Sequence, residues 1–224
     1  MCGRYVLAAA SQDVASALDA HPSCASAPSW NVAPTQSVPI LVLDDRGERR
    51  LVAADWGIEA PWTERGVVIN ARSESVGDKR TFATLLAGGR CGVPMHGYYE
   101  WRRSDADGRA SKVPFHIRPR ERGALDHRGT AVALGLVDRT RNQMVVLTRT
   151  PGPGVAAIHD RMPYLADQNL LSGWLAESVG AHDLRGDPPP DGDLKWWEVG
   201  RGVNSSRSNG PHLLDPVDGV GLFG

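Results

Sequence analysis

The sequence predicts an α+β fold, a single domain built on a mostly antiparallel sheet that curls toward a barrel and carries flanking helices. Three observations predict it. Short apolar, β-branched runs recur along the chain between turn residues. Few segments have helical spacing, and no strand–helix–strand alternation indicates a parallel sheet. No repeat or linker divides the chain, so we expect one domain over residues 1–224, with its core at about 2–217 and a loop-rich C-terminal segment.

The first half of the chain is predicted to contain one hairpin, further strands and two short helices. The runs VPILVLD and RRLVAADW flank the turn DRGE, which favours an antiparallel hairpin. Ser11 is placed to cap the first helix, and Gly88 with Gly89 to end the second. In order, the elements are a strand at 2–7, a helix at 11–20, a loop at 21–36, the hairpin at 38–56, a strand at 65–75 that enters a polar turn, and a helix at 78–89.

The second half is predicted to be mainly strands. The runs TAVALGLVD and QMVVLTRT flank RTRN and form a second antiparallel pair. An apolar stripe that includes Leu171 and Trp174 has helical spacing. In order, the elements are strands at 90–94, 97–101 and 113–119 with a polar loop at 102–112, the pair at 130–138 and 143–150, a turn-like segment at 154–163, a helix at 166–177 and a loop at 185–193.

Composition excludes several classes of protein. No stretch of about 18 apolar residues occurs, so we expect no membrane span, and the N-terminus lacks a secretory signal pattern, which makes the cytoplasm the expected compartment. Three cysteines without a CxxC or Cys/His cluster argue against a disulfide framework and a zinc site. The net charge of −1 argues against a broadly basic nucleic-acid-binding domain, although a local basic groove stays open.

Four polar residues stand in apolar contexts, where burial is costly unless they are paired. Asn31 follows Trp30, Asn70 ends VVIN, Glu100 lies between aromatic residues in GYYEW, and His159 follows AAI. Each also has an ordinary structural interpretation. Asn70 could cap a strand end, Glu100 could pair with an arginine, and His159 could be held by the carboxylate of the next residue.

Cys2 follows the initiator methionine directly. Removal of Met1 would leave an α-amine and a thiol on adjacent carbons of one residue. That pair can close a five-membered ring on an aldehyde, which an internal cysteine cannot do. The amine has an ordinary pKa near 7.7–8.0, so about a tenth of it is neutral at pH 7.

The order of several segments resembles one family. MCGRY, WNVAPTQ, WGIEAPW, INARSES, RCGVPMHGYYEW, VPFHI, ALGL and IHDRMP together resemble the SRAP, or SOS response-associated peptidase, family, and the match extends over nearly the whole chain. The resemblance implies a single α+β domain with the SRAP fold. It also implies an abasic-site sensor that binds single-stranded DNA and forms a thiazolidine crosslink through Cys2 after Met1 removal.

The resemblance implies site residues position by position. Catalytic roles fall on Cys2, Asn70, Glu100 and His159, and DNA contacts on Arg4, Asn31, Pro34, Trp62, Arg72 and Arg161. The expected partner is single-stranded or junction DNA with abasic sites, bound by a monomer without metal or cofactor, in the cytoplasm and on the nucleoid when bound to DNA. Met95-His96 departs from the family pattern, and we expect it to alter packing or DNA contacts and leave the chemistry unchanged.

Two other functions stay open. Cys2 with His159 and Glu100 could form a cysteine-type peptidase or an N-terminal-nucleophile amidohydrolase, including one that acts only on itself. The chain could also be a DNA-binding module whose cysteine has no chemical role. A covalent adduct with abasic DNA, turnover of an amide substrate, or neither would separate the three.

Overall fold

Short strands carry most of the architecture in the computed structural model, which describes residues 2–64, 66–104, 111–185, 187 and 190–217. Within these residues the strands are β1 (Tyr5–Leu7), β2 (His21–Pro22), β3 (Ser29–Val32), β4 (Ser37–Leu43), β5 (Arg49–Trp56), β6 (Ile58–Glu59), β7 (Val67–Val68), β8 (Asn70–Arg72), β9 (Arg90–Met95), β10 (Gly97–Ser104), β11 (Ser111–Pro119), β12 (Ala131–Asp138), β13 (Gln143–Arg149), β14 (Met162–Pro163) and β15 (Leu194–Glu198).

Helices are few and short. Those in the described ranges are α1 (Ser11–Ala17), α2 (Arg80–Ala83), α3 (Pro153–Ala156) and α4 (Gln168–Leu175), with 3-10 turns at Ser73–Ser75, Ala181–Arg185, Asp191–Asp193, Arg201–Asn204 and Pro211–Leu214. None of the helices in the described ranges is long and apolar enough to cross a membrane. The many short strands, most of them paired antiparallel, and the few short helices confirm the predicted α+β class.

The larger sheet has eight strands and bends back on itself. Its order is β14-β13-β12-β9-β4-β5-β2, and β8 pairs with β13 outside this path. A parallel pairing of β13 with β5, at Gln143↔Asp55 and Met144↔Trp56, closes β13, β12, β9, β4 and β5 into a ring. The curling that the sequence predicts takes this form. Both predicted antiparallel pairs, β4 with β5 and β12 with β13, are also confirmed.

A five-stranded sheet, which we call the smaller sheet, positions the N-terminus. Its order is β15-β11-β10-β1-β3, so β1 lies between β10 and β3, while β6 and β7 form a separate two-stranded sheet. Tyr5 of β1 is opposite Tyr98 of β10, and the Tyr99 amide donates to the Arg4 carbonyl oxygen at 3.0 Å. Because the strands are antiparallel, the chain before Tyr5 runs beside the residues after Tyr98. Cys2 is thereby brought close to Glu100.

Two apolar clusters lie on opposite faces of the smaller sheet. The main core draws Tyr5, Tyr98 and many side chains of the eight-stranded sheet together. A second cluster contains Val6, Tyr99 and Val203 and packs against the C-terminal segment. Alternate residues of a strand point to opposite faces, so Tyr98 and Glu100 face the main core while Tyr99 and Trp101 face the second cluster.

Three local predictions are wrong. Residues 21–36 contain β2 and β3 because pairing with distant strands overrides a loop-like composition. The helix predicted at 78–89 is regular only over Arg80–Ala83 and continues as hydrogen-bonded turns. Ser11 is the first helical residue and does not cap α1, because its Oγ accepts from the Ser26 amide at 3.1 Å.

The two predicted polar loops have different outcomes. β10 extends to Ser104 and β11 begins at Ser111, which shortens the loop predicted at 102–112, and its centre at 105–110 is outside the described residues. In the loop predicted at 185–193, positions 186, 188 and 189 are outside the described residues as well.

Candidate functional site

Cys2 lies just before β1 and is completely buried, with 0% of its surface exposed. Asn70 Nδ2 donates a hydrogen bond of 2.7 Å to the Cys2 carbonyl oxygen. Asn70 Oδ1 is buried and accepts no hydrogen bond from the described residues. Asn70 therefore holds the Cys2 backbone and keeps one acceptor beside it.

The surroundings of Cys2 keep its thiol protonated. Burial raises the pKa of the thiol well above its usual range, and the nearby Glu100 carboxyl raises it further. A neutral thiol must lose its proton as it forms a bond to carbon. Any reaction of this thiol with carbon would therefore need a base close to Cys2.

Strand β8 delivers Asn70 to this position. It runs parallel to β13, with Asn70 opposite Val146 and Arg72 opposite Thr148. Ala71 is buried, whereas Arg72 is exposed. Strand alternation places Asn70 and Arg72 on the same side, where they line one cleft.

The buried Glu100 and the partly exposed His159 form a pair next to Cys2. Glu100 is 2% exposed, and burial raises the pKa of its carboxyl to about 8. His159 Nε2 lies 3.7 Å from Glu100 Oε2. Burial lowers the pKa of His159 below its usual value. Both groups are therefore predominantly uncharged near neutral pH, and either can exchange a proton with a reacting group.

The backbone after His159 sets the tautomer of its ring. The Arg161 amide donates to His159 Nδ1 at 3.0 Å, and Asp160 Oδ1 lies 3.0 Å from the same nitrogen. In the neutral ring, an acceptor Nδ1 leaves the proton on Nε2, which faces Glu100. A protonated ring would donate from Nδ1 to the exposed Asp160 instead.

Two clefts meet at Asn70. The first has a volume of about 350 Å³ and is mainly apolar, with Pro34, Val67 and Ile69 in its wall. The second has a volume of about 360 Å³ and is lined by Trp62, Arg72, Lys79 and others. Two of the predicted DNA contacts, Trp62 and Arg72, therefore share one cleft, and Pro34 lies in the neighbouring one.

The second cleft carries uncompensated positive charge. Arg72 and Lys79 are exposed, and neither forms an ion pair with a described carboxylate. Trp62 is 69% exposed, which is unusual for so large an apolar side chain. In general, exposed aromatic rings stack on nucleic-acid bases and exposed cations pair with phosphates.

Arg4 and Asn31 lie elsewhere, on the outer face of the smaller sheet. The Arg4 guanidinium donates to Asn31 Oδ1 at 2.8 Å and to the Val203 carbonyl oxygen at 2.7 Å. Asn31 is 2% exposed. Both side chains are occupied by protein groups, and their role as DNA contacts stays a prediction.

Arg161 is also held by the protein. Its guanidinium donates to both carboxylate oxygens of Glu74, at 2.7 and 2.8 Å, and to the Thr148 carbonyl oxygen at 2.5 Å. Although burial alone would raise it, the hydrogen bonds from Arg161 lower the pKa of Glu74 to about 2. The pair ties the turn after β8 to the loop that carries His159. A DNA contact by Arg161 likewise stays a prediction.

Comparison with known proteins settles the family. The sequence model of the family described as SOS response associated peptidase (SRAP) matches residues 1–206. The chain belongs to the SRAP family.

Relatives of this SRAP protein are named for abasic sites. It is 28% identical over 96% of its length to abasic site processing protein YoaM of Bacillus subtilis, of which it covers 98%. It is 25% identical to abasic site processing protein YedK of Escherichia coli over 84% of each chain. The crystal structure of a Bacteroides thetaiotaomicron protein covers 96% of this chain and 100% of its own, with a TM-score of 0.77 and 18% identity, which shows a shared fold.

Sequence reasoning missed two residues of this SRAP site. Tyr98 faces Cys2 and Glu100 from the main core, and burial raises the pKa of its phenol well above the usual value. The strand period predicts this, since Tyr98 precedes Glu100 by two positions. Lys79 immediately precedes α2 and lines the same cleft as Arg72, and no local pattern predicts that.

His96, at which the sequence departs from the family pattern, bonds to residues of β1 and just after it. Its amide donates to the Val6 carbonyl oxygen at 2.7 Å, and its Nδ1 accepts from the Ala8 amide at 3.1 Å. The ring therefore ties the start of β10 to β1. Whether it also changes DNA binding stays a prediction.

The described residues contain no group of three or more His, Cys, Asp or Glu side chains that could hold a metal ion. The three cysteines of the SRAP chain, Cys2, Cys24 and Cys91, are all free thiols.

Proposed function

We propose that this SRAP protein binds single-stranded or junction DNA at abasic sites and joins itself to the sugar through Cys2 after Met1 is removed. The convergence of Asn70, Glu100 and His159 on Cys2 carries the proposal. The names of the relatives, abasic site processing proteins, support the substrate. The product would protect the damaged strand.

The proposed reaction loses one water. An abasic sugar opens to an aldehyde at C1′, and the neutral α-amine of Cys2 attacks that carbon to give a carbinolamine. Loss of water forms an imine, and the Cys2 sulfur then adds to the imine carbon while the thiol proton passes to nitrogen. The closed ring is a thiazolidine. Amine and thiol belong to one residue, which gives the ring closure a high effective concentration.

Glu100 and His159 would move the protons. The pKa of Glu100, about 8, is close to that of an α-amine, so proton transfer between the two costs little free energy. The raised pKa of the Cys2 thiol requires a base when the carbon–sulfur bond forms. We assign these transfers to the Glu100–His159 pair and the orientation of Cys2 to Asn70.

The exposed cleft would bind the DNA. We assign base stacking to Trp62, phosphate contacts to Arg72 and Lys79, and the neighbouring apolar wall to Pro34. A single strand suits this arrangement because its bases are accessible for stacking. All these groups come from one chain, so we expect a monomer. We also expect it in the cytoplasm, on the nucleoid when DNA is bound.

A cysteine peptidase is the alternative. Such an enzyme reacts as a thiolate, so the Glu100–His159 pair would have to accept the Cys2 proton, because burial raises the pKa of the thiol. Incubation with peptide and amide substrates tests this alternative directly. Turnover that depends on Cys2 would favour hydrolysis over crosslinking.

The deciding experiment incubates the protein with a single-stranded oligonucleotide that contains one abasic site, followed by denaturing electrophoresis. We expect a stable adduct with the wild type and none with Cys2→Ala. Cys24→Ala is the matched control, since Cys24 is a second free cysteine and is partly exposed, and it should react like the wild type. An unchanged adduct with Cys2→Ala would reject the proposal.

A further inference from the structure

The C-terminal segment 199–217 crosses the outer face of the smaller sheet. Val203 is fully buried in the second cluster with Val6 and Tyr99. Trp197 Nε1 donates to the Leu214 carbonyl oxygen at 2.7 Å. This segment is therefore packed onto the face opposite Cys2 and Glu100.

Asn31 is the main polar anchor of this segment. Its Nδ2 donates to the carbonyl oxygens of Ser205 and Ser208, each at 2.9 Å, and of Val203 at 3.4 Å. Its Oδ1 accepts from Arg4 at 2.8 Å. A buried amide that makes these hydrogen bonds fixes its neighbours closely.

The same segment is attached to both strands that carry the reactive groups. Arg4, two residues after Cys2, donates to the carbonyl oxygens of Val203 and Asn204, at 2.7 and 3.3 Å. Trp101, which follows Glu100, donates from Nε1 to Asn204 Oδ1 at 2.7 Å. We call residues 203–208 together with Arg4, Asn31 and Trp101 the clasp.

Three hydrogen bonds occupy three of the five N–H donors of Arg4. Burial lowers the pKa of its guanidinium. An arginine bound to backbone carbonyls has less capacity for a phosphate. The geometry indicates that Arg4 acts on the protein and not on the DNA.

We propose that the clasp is a positioning device that holds Cys2 and Glu100 in reacting geometry, and that Arg4, Asn31 and Asn204 are positioning residues. This rests on the proposed function, since the reaction is the one described above. Small misplacements of reacting groups slow a reaction strongly without weakening substrate binding. Loss of the clasp should therefore lower the rate of ring closure and leave DNA affinity unchanged.

The test uses Asn204, because it is exposed and its side chain bonds only Trp101 among the described residues. The single-turnover rate of adduct formation is measured at saturating abasic oligonucleotide. The Kd is measured separately, across a range of salt, for an intact single strand. Asn204→Ala should lower the rate about 3- to 10-fold, as expected for one hydrogen bond, with Kd and its salt dependence unchanged. Asn204→Asp keeps the acceptor and should restore the rate. His212→Ala, an exposed position of the same C-terminal segment outside the clasp, should behave like the wild type.

Arg4→Gln gives the sharper contrast. We expect a lower rate at saturation and an unchanged salt slope. A weaker Kd with a slope lower by about one, and an unchanged rate at saturation, would make Arg4 a phosphate contact and overturn the proposal. A wild-type rate for Asn204→Ala would also overturn it.

A failure of the proposed function is visible separately, as absence of adduct in the wild type. Hydrogen exchange of the Tyr5–Leu7 amides then still tests the clasp, because Asn204→Ala should speed it. Unchanged exchange in that variant would reject the clasp as a positioning device.

Discussion

The two sides of Cys2 use polar side chains in opposite ways. Glu100 and Asn31, on the inner and outer faces of the smaller sheet, are buried and bound by other protein groups. Arg161, beside β13 of the larger sheet, is nearly buried and bound in the same way. In the cleft, Trp62 and Arg72 are exposed, and no described carboxylate pairs with Arg72. The buried residues should therefore govern the rate of adduct formation, its pH dependence and the stability of the fold. The exposed residues should govern the affinity for DNA.

The difference shows that burial and hydrogen-bond partners decide whether an arginine supports the fold or is available to a ligand. Arg161 and Arg72 lie near the same cleft-forming turn, yet one is locked to Glu74 and the other is open to solvent. A buried guanidinium that loses its partner destabilises the fold, whereas an exposed one can exchange water and ions for a phosphate.

The largest expected effect is at Glu100. Its folded-state pKa of about 8 lies above the ordinary value near 4.3, so the folded protein holds this proton more tightly than the unfolded chain. Stability is thus lost as the pH rises from about 4.3 to about 8, and at pH 7 the loss is up to about 4 kcal/mol. Glu100→Gln should recover this stability in urea denaturation across the pH range while slowing adduct formation. A variant that is neither more stable nor slower would contradict the buried-acid account.

Arg161→Ala should destabilise the protein by about 2 kcal/mol, because it removes the guanidinium that donates to the Thr148 carbonyl oxygen and pairs with the Glu74 carboxylate. Urea denaturation measures the change. Arg72→Ala is the matched control and should alter the free energy of unfolding by less than about 0.5 kcal/mol. Equal effects of the two substitutions would remove the distinction between the buried and exposed sides.

Trp62→Ala should weaken binding of single-stranded DNA by about 1–3 kcal/mol, because one stacked base is lost. Fluorescence anisotropy with a labelled oligonucleotide measures it. Trp62→Phe keeps an aromatic face and should retain most of the affinity. Since the indole is exposed, the denaturation midpoint should not move, and a large destabilisation would show that Trp62 supports the fold instead.

The smallest effect is expected at the charged cleft residues. Arg72→Ala and Lys79→Ala should each lower the slope of log Kd against log salt by about one ion. Binding titrations at several salt concentrations give this slope. A slope that neither substitution changes would argue against a phosphate path through the cleft.

Much of the site follows from the sequence because its residues are carried by local motifs. Asn70, Glu100 and His159 stand in short strings that resemble the family. Strand alternation predicts the side of the sheet for Asn70 and Glu100, whereas His159 lies in a loop between α3 and β14. The partners of Arg4, Asn31 and Arg161 are not predictable in this way. Arg4 meets Val203, about 200 positions away, through the order of the strands, and no local pattern records that contact. For the same reason the sequence of β3 resembles a loop, because its strand conformation depends on pairing with β1.

The most direct test of the central claim is intact-protein mass spectrometry of the chain without Met1, mixed with an abasic oligonucleotide. We predict a one-to-one adduct whose mass is the sum of protein and DNA less one water, and none with a form that retains Met1. Equal crosslinking by the form that retains Met1 would contradict the claim that Cys2 supplies both reactive atoms.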